Sequence, residues 1–144
     1  MAVLVDTNIL LRLLQPKHPH AAKAEQAVET LRRRGEPLNL AAQNLVEFWA
    51  VITRPANENG LGFTTAQAIA EIRAIERLFV LLPEVPLQKE WERLVTTHNV
   101  SGKNTHDARL VAAMMVHGVN AVLTFNTQDF VRYPISVLDP RHVK

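Results

Sequence analysis

The hydrophobic residues of this chain fall into short continuous runs that alternate with helical stripes. The first run is Val3-Leu4-Val5, and similar runs recur at 37–41, 79–82, 121–124 and 136–138. Short apolar runs without alternation are typical of strands that are buried on both faces of a parallel sheet. The pattern therefore predicts five short strands.

Between these runs, apolar residues recur every three or four positions, which is the spacing of one helix face. This spacing predicts helices at about 7–14, 20–34, 42–54, 64–78, 86–98 and 105–117. Thr64-x-x-Gln67 is a capping box that starts the fourth of them. Alternating strands and helices predict a single α/β domain, with a parallel β-sheet of about five strands flanked by helices on both faces.

The predicted helix at 42–54 is apolar around most of its circumference. Its narrow polar strip holds Gln43, Glu47 and Arg54. A helix with so little polar surface is expected to be largely buried. Glu47 then opens onto a cleft, pairs with a neighbour, or carries a desolvation cost.

Composition limits the class of protein. The chain has 144 residues, of which 47% are hydrophobic and 21% charged, and this fits one soluble globular domain. No apolar run is long enough to cross a bilayer, and the first residues lack the basic head of a signal peptide, so we expect a cytoplasmic protein. The absence of cysteine excludes disulfides, thiolate metal sites and a cysteine nucleophile.

The net charge of +2 is small, so a nucleic-acid partner would have to be held by local patches. Arg32-Arg33-Arg34-Gly35 is one candidate, although cations followed by glycine are also the ordinary end of a helix. The helix-end interpretation is the stronger of the two. Loop 54–63 is a second candidate for contacts that select a target.

Four carboxylates are candidates for chemistry: Asp6, Glu47, Asp107 and Asp129. Asp6 and Asp129 lie just after predicted strands, and Asp107 shares a helix face with the apolar residues expected to pack on the sheet. Ligands of open α/β sheets bind beyond the carboxyl ends of the strands. We therefore expect the four acids to converge at that edge.

Each acid also has a separate structural explanation. Asp6 could cap the first helix, Asp107 could belong to a capping box opened by Asn104, and Asp129 could form an Asx-turn. Glu47 could bond Gln43 or Arg54. These explanations do not account for convergence of the acids on one edge of the sheet.

Converging carboxylates require a cation. Two carboxylates about 5 Å apart repel by roughly 3 kcal/mol at an effective dielectric near 20. Oxygen ligands favour Mg²⁺ or Mn²⁺, and the histidines show no HExxH zinc pattern. The commonest reaction at such a site is phosphoryl transfer, in which the metal activates water and stabilises charge on the phosphate.

Four segments that carry these acids resemble, in order, the PIN-domain ribonucleases and among them the VapC-type toxins of toxin–antitoxin pairs. The segments are Leu4–Asn8, Asn44–Phe48, His106–Ala113 and Leu123–Phe130. The resemblance implies an endoribonuclease that depends on Mg²⁺ or Mn²⁺ and hydrolyses RNA phosphodiesters with a metal-activated water. It implies that Asp6 and Asp107 are the principal metal ligands and that Glu47 and Asp129 complete the acidic site.

The same resemblance implies roles for four polar neighbours and for two partners. Thr7, Asn8, Asn126 and Thr127 would position the acids or contact the phosphate. The chain would form a homodimer and bind a cognate antitoxin, which would press a hydrophobic segment into a groove between the helices around 7–34 and 42–78.

Other classes of function remain open at the level of sequence. A catalytically silent PIN-like module that binds RNA or protein would use the acids as caps and would not bind Mn²⁺. An aspartyl-nucleophile phosphatase usually carries a second Asp two residues after the nucleophile, but that position is Asn8. A receiver-like switch needs paired acids ahead of the nucleophile, and none precedes Asp6.

Overall fold

The computed structural model describes all residues from 1 to 144. The strands are β1 (Val3–Val5), β2 (Leu38–Leu40), β3 (Val80–Leu81), β4 (Ala121–Leu123) and β5 (Ser136–Leu138). The helices are α1 (Thr7–Leu14), α2 (Ala21–Arg33), α3 (Ala42–Thr53), α4 (Thr65–Leu78), α5 (Gln88–Thr97) and α6 (Asn104–His117). None of these helices is long and apolar enough to span a membrane.

The five strands form one parallel sheet with the order β3-β2-β1-β4-β5. The central strand β1 pairs with β2 on one side and with β4 on the other, so that Val3 lies beside both Leu38 and Ala121. All carboxyl ends therefore point to the same edge. The predicted α/β class and parallel sheet are confirmed.

Two apolar cores cover the two faces of the sheet. Alternate strand residues such as Val3 and Val5 face a core built mainly from α1 to α4. Leu4 and Val122 face the opposite way, into a core built mainly from α5 and α6. This arrangement explains why the strands read as unbroken apolar runs, because both of their faces are buried.

The structure differs from the sequence prediction in three places. β3 is shorter than predicted, since it lies at the edge of the sheet and pairs only with β2. The fifth helix begins at Gln88, two residues after Pro86. The prediction that the third helix is largely buried is wrong: Val46 is 69% exposed, and Ala50 is exposed too. Only one face of α3 packs on the core, and the opposite face borders an open cleft.

Candidate active site

Asp6 follows β1 directly and lies at the centre of the carboxyl edge. It is only 6% exposed, and its backbone N–H donates to the carbonyl of Leu123 on the neighbouring strand at 3.0 Å. Its Oδ1 accepts a hydrogen bond from the backbone N–H of Thr7 at 2.7 Å, which caps α1. Asp6 is thus both the predicted helix cap and a buried acid of the candidate site.

The second oxygen of Asp6 is held by two side-chain donors. Thr124 Oγ1 donates to Oδ2 at 2.7 Å, and Asn8 Nδ2 donates to the same atom at 3.2 Å. Asn8 Oδ1 in turn accepts from the backbone N–H of Phe125 at 3.2 Å, while Thr124 Oγ1 accepts from the backbone N–H of Asn126 at 3.0 Å. This network joins the start of α1 to the loop after β4.

Sequence analysis did not identify Thr124 as a site residue. Leu123 pairs with Val5, so the next residue on each strand, Thr124 and Asp6, fall side by side. The only indication in the sequence was a hydroxyl side chain at the end of an apolar run that was predicted to be a strand. Its role depends on β4 being the neighbour of β1, which the spacing of the runs does not reveal.

Glu47 reaches the site from α3 and is held by Gln43, one turn earlier. Gln43 Nε2 donates to Glu47 Oε1 at 2.7 Å and also lies 2.8 Å from the carbonyl oxygen of His106 at the start of α6. Thr7 Oγ1 makes a longer contact of 3.4 Å to Glu47 Oε2. Gln43 therefore ties two helices together while it orients Glu47. The alternative pairing of Glu47 with Arg54 is not formed.

Asp107 lies in the first turn of α6 and is half-buried. No donor of the protein bonds its carboxylate, and the capping box with Asn104 is not formed, because the helix has no side-chain cap. Burial, together with the nearby charges of Asp6, Asp129 and Glu47, raises the pKa of Asp107 to about 7, although Lys103 acts in the opposite direction. The protein thus provides neither a hydrogen-bond donor nor an ion pair for the carboxylate of Asp107.

Asp129 lies in a short turn of 3-10 helix, Thr127–Asp129, after β4. Its side chain makes no Asx-turn hydrogen bond, and its charge raises the pKa of both Asp6 and Asp107. Asn126 is exposed beside it and lines the same cleft, whereas Thr127 does not line it. All four predicted acids therefore meet at one edge of the sheet.

Burial raises the pKa of Asp6 to about 6, even though the hydrogen bonds from Thr124 and Thr7 act in the opposite direction. None of the four acids forms an ion pair with Lys, Arg or His. No three His, Asp or Glu side chains are spaced as the complete ligand set of a single ion. The site thus brings four carboxyl groups together, and none of them is ion-paired with a cation of the protein.

The acids open into a cleft of about 570 Å³ between α3 and α6. Its lining residues are Gln43, Val46, Glu47, Ala50, Lys103, Asn104, His106, Asp107, Asn126 and Asp129. One wall belongs to α3 and presents Val46 and Ala50 beside Gln43 and Glu47, and the other is polar and begins at Lys103. Asp6 lies behind this lining, buried at the base of the site.

Comparisons with known proteins agree with this fold. The family model of the PIN domain matches residues 3–135. Ribonuclease VapC24 of Mycobacterium tuberculosis is 30% identical over 142 residues, and the match covers 94% of this chain and 94% of that protein.

Two solved structures share the fold at lower sequence identity. VapBC2 from Rickettsia felis, bound to a DNA fragment from its promoter, has a TM-score of 0.71 at 13% identity and covers 96% of this chain and 98% of its own. VapC20 of Mycobacterium tuberculosis, a toxin that cleaves the sarcin-ricin loop, has a TM-score of 0.65 at 17% identity, with coverage of 91% and 98%. With a family match over most of its length and a relative aligned nearly end to end, the chain belongs to the PIN-domain family.

Proposed function

We propose that this protein is a divalent-metal-dependent endoribonuclease and the toxin of a VapBC-type toxin–antitoxin pair. The observation that carries the proposal is the meeting of four carboxylates, none of them ion-paired, at the carboxyl edge of a PIN-domain sheet. The 30% identity to a named ribonuclease over nearly the whole chain supports the choice of RNA as substrate.

The donor set fits Mg²⁺ or Mn²⁺. The available ligands are carboxylate oxygens, which hard divalent cations prefer. Mg²⁺ retains several waters and is commonly bound through only one or two carboxylates, so a closed set of three side-chain ligands is not required. Asp6 and Asp107 would hold the cation, and Glu47 and Asp129 would complete the acidic site.

When bound, the cation supplies a polarised water and offsets charge at the phosphate. The residues of the chain orient the acids and receive the substrate. Thr124 and Asn8 fix the orientation of Asp6, Gln43 fixes Glu47, and the cleft admits the RNA strand. In the reaction, water adds to phosphorus and the P–O3′ bond breaks, which leaves a 5′-phosphate and a 3′-hydroxyl.

The partners belong to the same proposal. An antitoxin would cover the groove between the helices around 7–34 and 42–78, where Leu13, Leu14, Leu45 and Trp49 are only partly buried against the core. These apolar side chains suit a hydrophobic segment of a second protein. We also propose that the chain forms a homodimer.

The test is incubation of the purified protein with total RNA, with Mg²⁺ or Mn²⁺ and then with EDTA. Cleavage should require the metal and should fall by at least about 100-fold in Asp107→Asn, since loss even of outer metal-site partners typically costs 10–100-fold. Glu92→Gln is the matched control, because Glu92 is an exposed acid on α5.

Two results would contradict the nuclease assignment. One is wild-type cleavage by Asp107→Asn, and the other is cleavage that persists without any divalent ion. If the wild type neither cleaves RNA nor binds Mn²⁺, the protein is instead a PIN-like module that binds RNA or protein.

A further inference from the structure

Lys103 occupies an unusual electrostatic position. It immediately precedes α6, and Asp107 lies four residues further along the same face. Oppositely charged residues at this spacing commonly pair on a helix surface. Here, however, no carboxylate lies within ion-pair distance of Lys103, although Asp107, Glu47 and Asp129 line the same cleft.

Lys103 is also the only Lys or Arg that lines the acidic cleft. Arg109 lies further along α6, where its Nη1 donates to Gln43 Oε1 at 3.3 Å and its side chain lines separate pockets. The opposite wall of the cleft offers Val46 and Ala50, which carry no charge, and the acid Glu47, but no cation. An anion that enters the cleft therefore finds one fixed cation, on the α6 side.

The proposed substrate, RNA, carries one phosphate per nucleotide. The phosphates next to the scissile one must therefore also lie close to the acidic site. A free ammonium at the rim supplies the contact that four carboxylates cannot. We propose that Lys103 binds a backbone phosphate of the RNA next to the scissile one, which positions the strand across the acidic site. This inference rests on the proposed function and names the residue that meets the polyanion.

The first measurement is RNA binding by Lys103→Met, Lys103→Arg and Lys89→Met. Lys89 is the matched control, because it lies on α5 with a side chain that is 97% exposed. Each variant is made in the Asp6→Asn background, in which loss of a proposed metal ligand is expected to prevent cleavage. A labelled single-stranded RNA is then titrated by fluorescence anisotropy at several salt concentrations. Lys103→Met should weaken binding about tenfold and reduce the slope of log affinity against log salt by roughly 0.7, the value for one contact to a single strand.

Lys103→Arg should restore most of the affinity, and Lys89→Met should match the background. The second measurement is Mn²⁺ affinity in the otherwise wild-type protein. Lys103→Met should leave it unchanged or tighten it about twofold, because a positive charge beside the cation has been removed. In cleavage assays the same variant should raise KM about tenfold and leave kcat nearly unchanged, as expected for a lost phosphate contact.

The inference is overturned if Lys103→Met and Lys89→Met bind RNA equally well, or if Lys103→Met weakens Mn²⁺ binding as much as RNA binding. The second outcome would assign Lys103 a structural role in the site. These results are separable from the proposed function. A wild type that cleaves RNA while Lys103→Met behaves normally removes only the inference, whereas a wild type that binds RNA through Lys103 without cleaving it removes only the nuclease.

Discussion

Asp6 and Asp107 lie at the same edge of the sheet, yet the protein surrounds them in opposite ways. Asp6 is buried and accepts hydrogen bonds from Thr7, Asn8 and Thr124. Asp107 is half-buried and accepts none. Despite its greater burial, Asp6 has the lower pKa of the two, about 6 against about 7.

Two causes contribute to this difference: hydrogen bonds lower the pKa of Asp6, and the charges of three neighbouring acids add to the effect of burial at Asp107. Donors to a carboxylate favour its charged form and offset the desolvation that raises its pKa. Asp6 is therefore held in place by the fold, with or without a bound cation. Asp107 lacks such donors, and its charged form gains most from a cation in the cleft.

Among variants that keep all four acids, the largest effect is expected from removing the donor that distinguishes Asp6. Thr124→Val keeps the shape of the side chain but removes the hydroxyl that donates to Asp6 Oδ2. Because Asp6 is a proposed metal ligand, we expect cleavage to fall about 10–100-fold, the usual effect of losing a hydrogen-bond partner of such a ligand, and Mn²⁺ affinity to fall with it. Thr124→Ser keeps the hydroxyl and is the control. Full activity in Thr124→Val would mean that Asp6 needs no such support.

A smaller effect is expected on thermal stability, and it should differ between variants of the two acids. The pKa values of both acids are higher in the folded protein than their usual value of 3.8, so the folded state binds protons more tightly than the unfolded state. The free energy of unfolding of the metal-free protein should therefore fall as pH rises from about 4 to about 7. Asp107→Asn removes one of these charges without losing a hydrogen bond. In EDTA at pH 8 its Tm should exceed that of the wild type by about 3 °C, with a smaller gain at pH 5.

Asp6→Asn should gain less than Asp107→Asn, or lose stability, because an amide has only one oxygen to accept the bonds that Asp6 now accepts on two. Thermal unfolding of the two variants and the wild type across this pH range checks both expectations. An equal gain in the two variants would show that the hydrogen bonds to Asp6 contribute little.

The smallest effect concerns Tyr133. Its hydroxyl is buried without a hydrogen-bond partner, and burial raises its pKa, with a smaller contribution from the charge of Asp107. Removing an unpaired hydroxyl is nearly neutral, so Tyr133→Phe should change the free energy of unfolding by less than about 1 kcal/mol and leave cleavage unchanged. Urea denaturation and an activity assay test this. A clear loss of activity would mean that Tyr133 supports Asp107 after all, and the contrast with Asp6 would weaken.

Much of the fold could be predicted from sequence because its strands are buried on both faces and its helices have one apolar face. The third helix was misjudged for a physical reason. Apolar residues such as Val46 suggest burial, but periodicity cannot show that the neighbouring space is an open cleft. The short β3 was overestimated because an edge strand has only one partner to extend its pairing.

The candidate site could likewise be predicted only in part. The four acids could be selected individually, since each is polar in an apolar setting or follows a strand. Thr124 and Lys103 could not be selected in this way. The role of Thr124 depends on a neighbour, Asp6, that is distant in sequence, and the role of Lys103 depends on its forming no ion pair in the folded protein. Gln43 was considered only as a partner of Glu47, and its second contact, to α6, required the packed structure.

The bond between Thr124 and Asp6 joins residues 118 positions apart. At a synthesis rate of roughly 5–20 residues per second, the ribosome needs about 6–24 seconds to pass from one to the other. Throughout that interval the nascent chain carries the first acid of the site without the strand that orients it. The hydrogen bond can form only when nearly all of the chain has been translated, so a chain that ends before Thr124 would lack the proposed site. A partner that binds α1 to α4, as proposed above, would have time to arrive first.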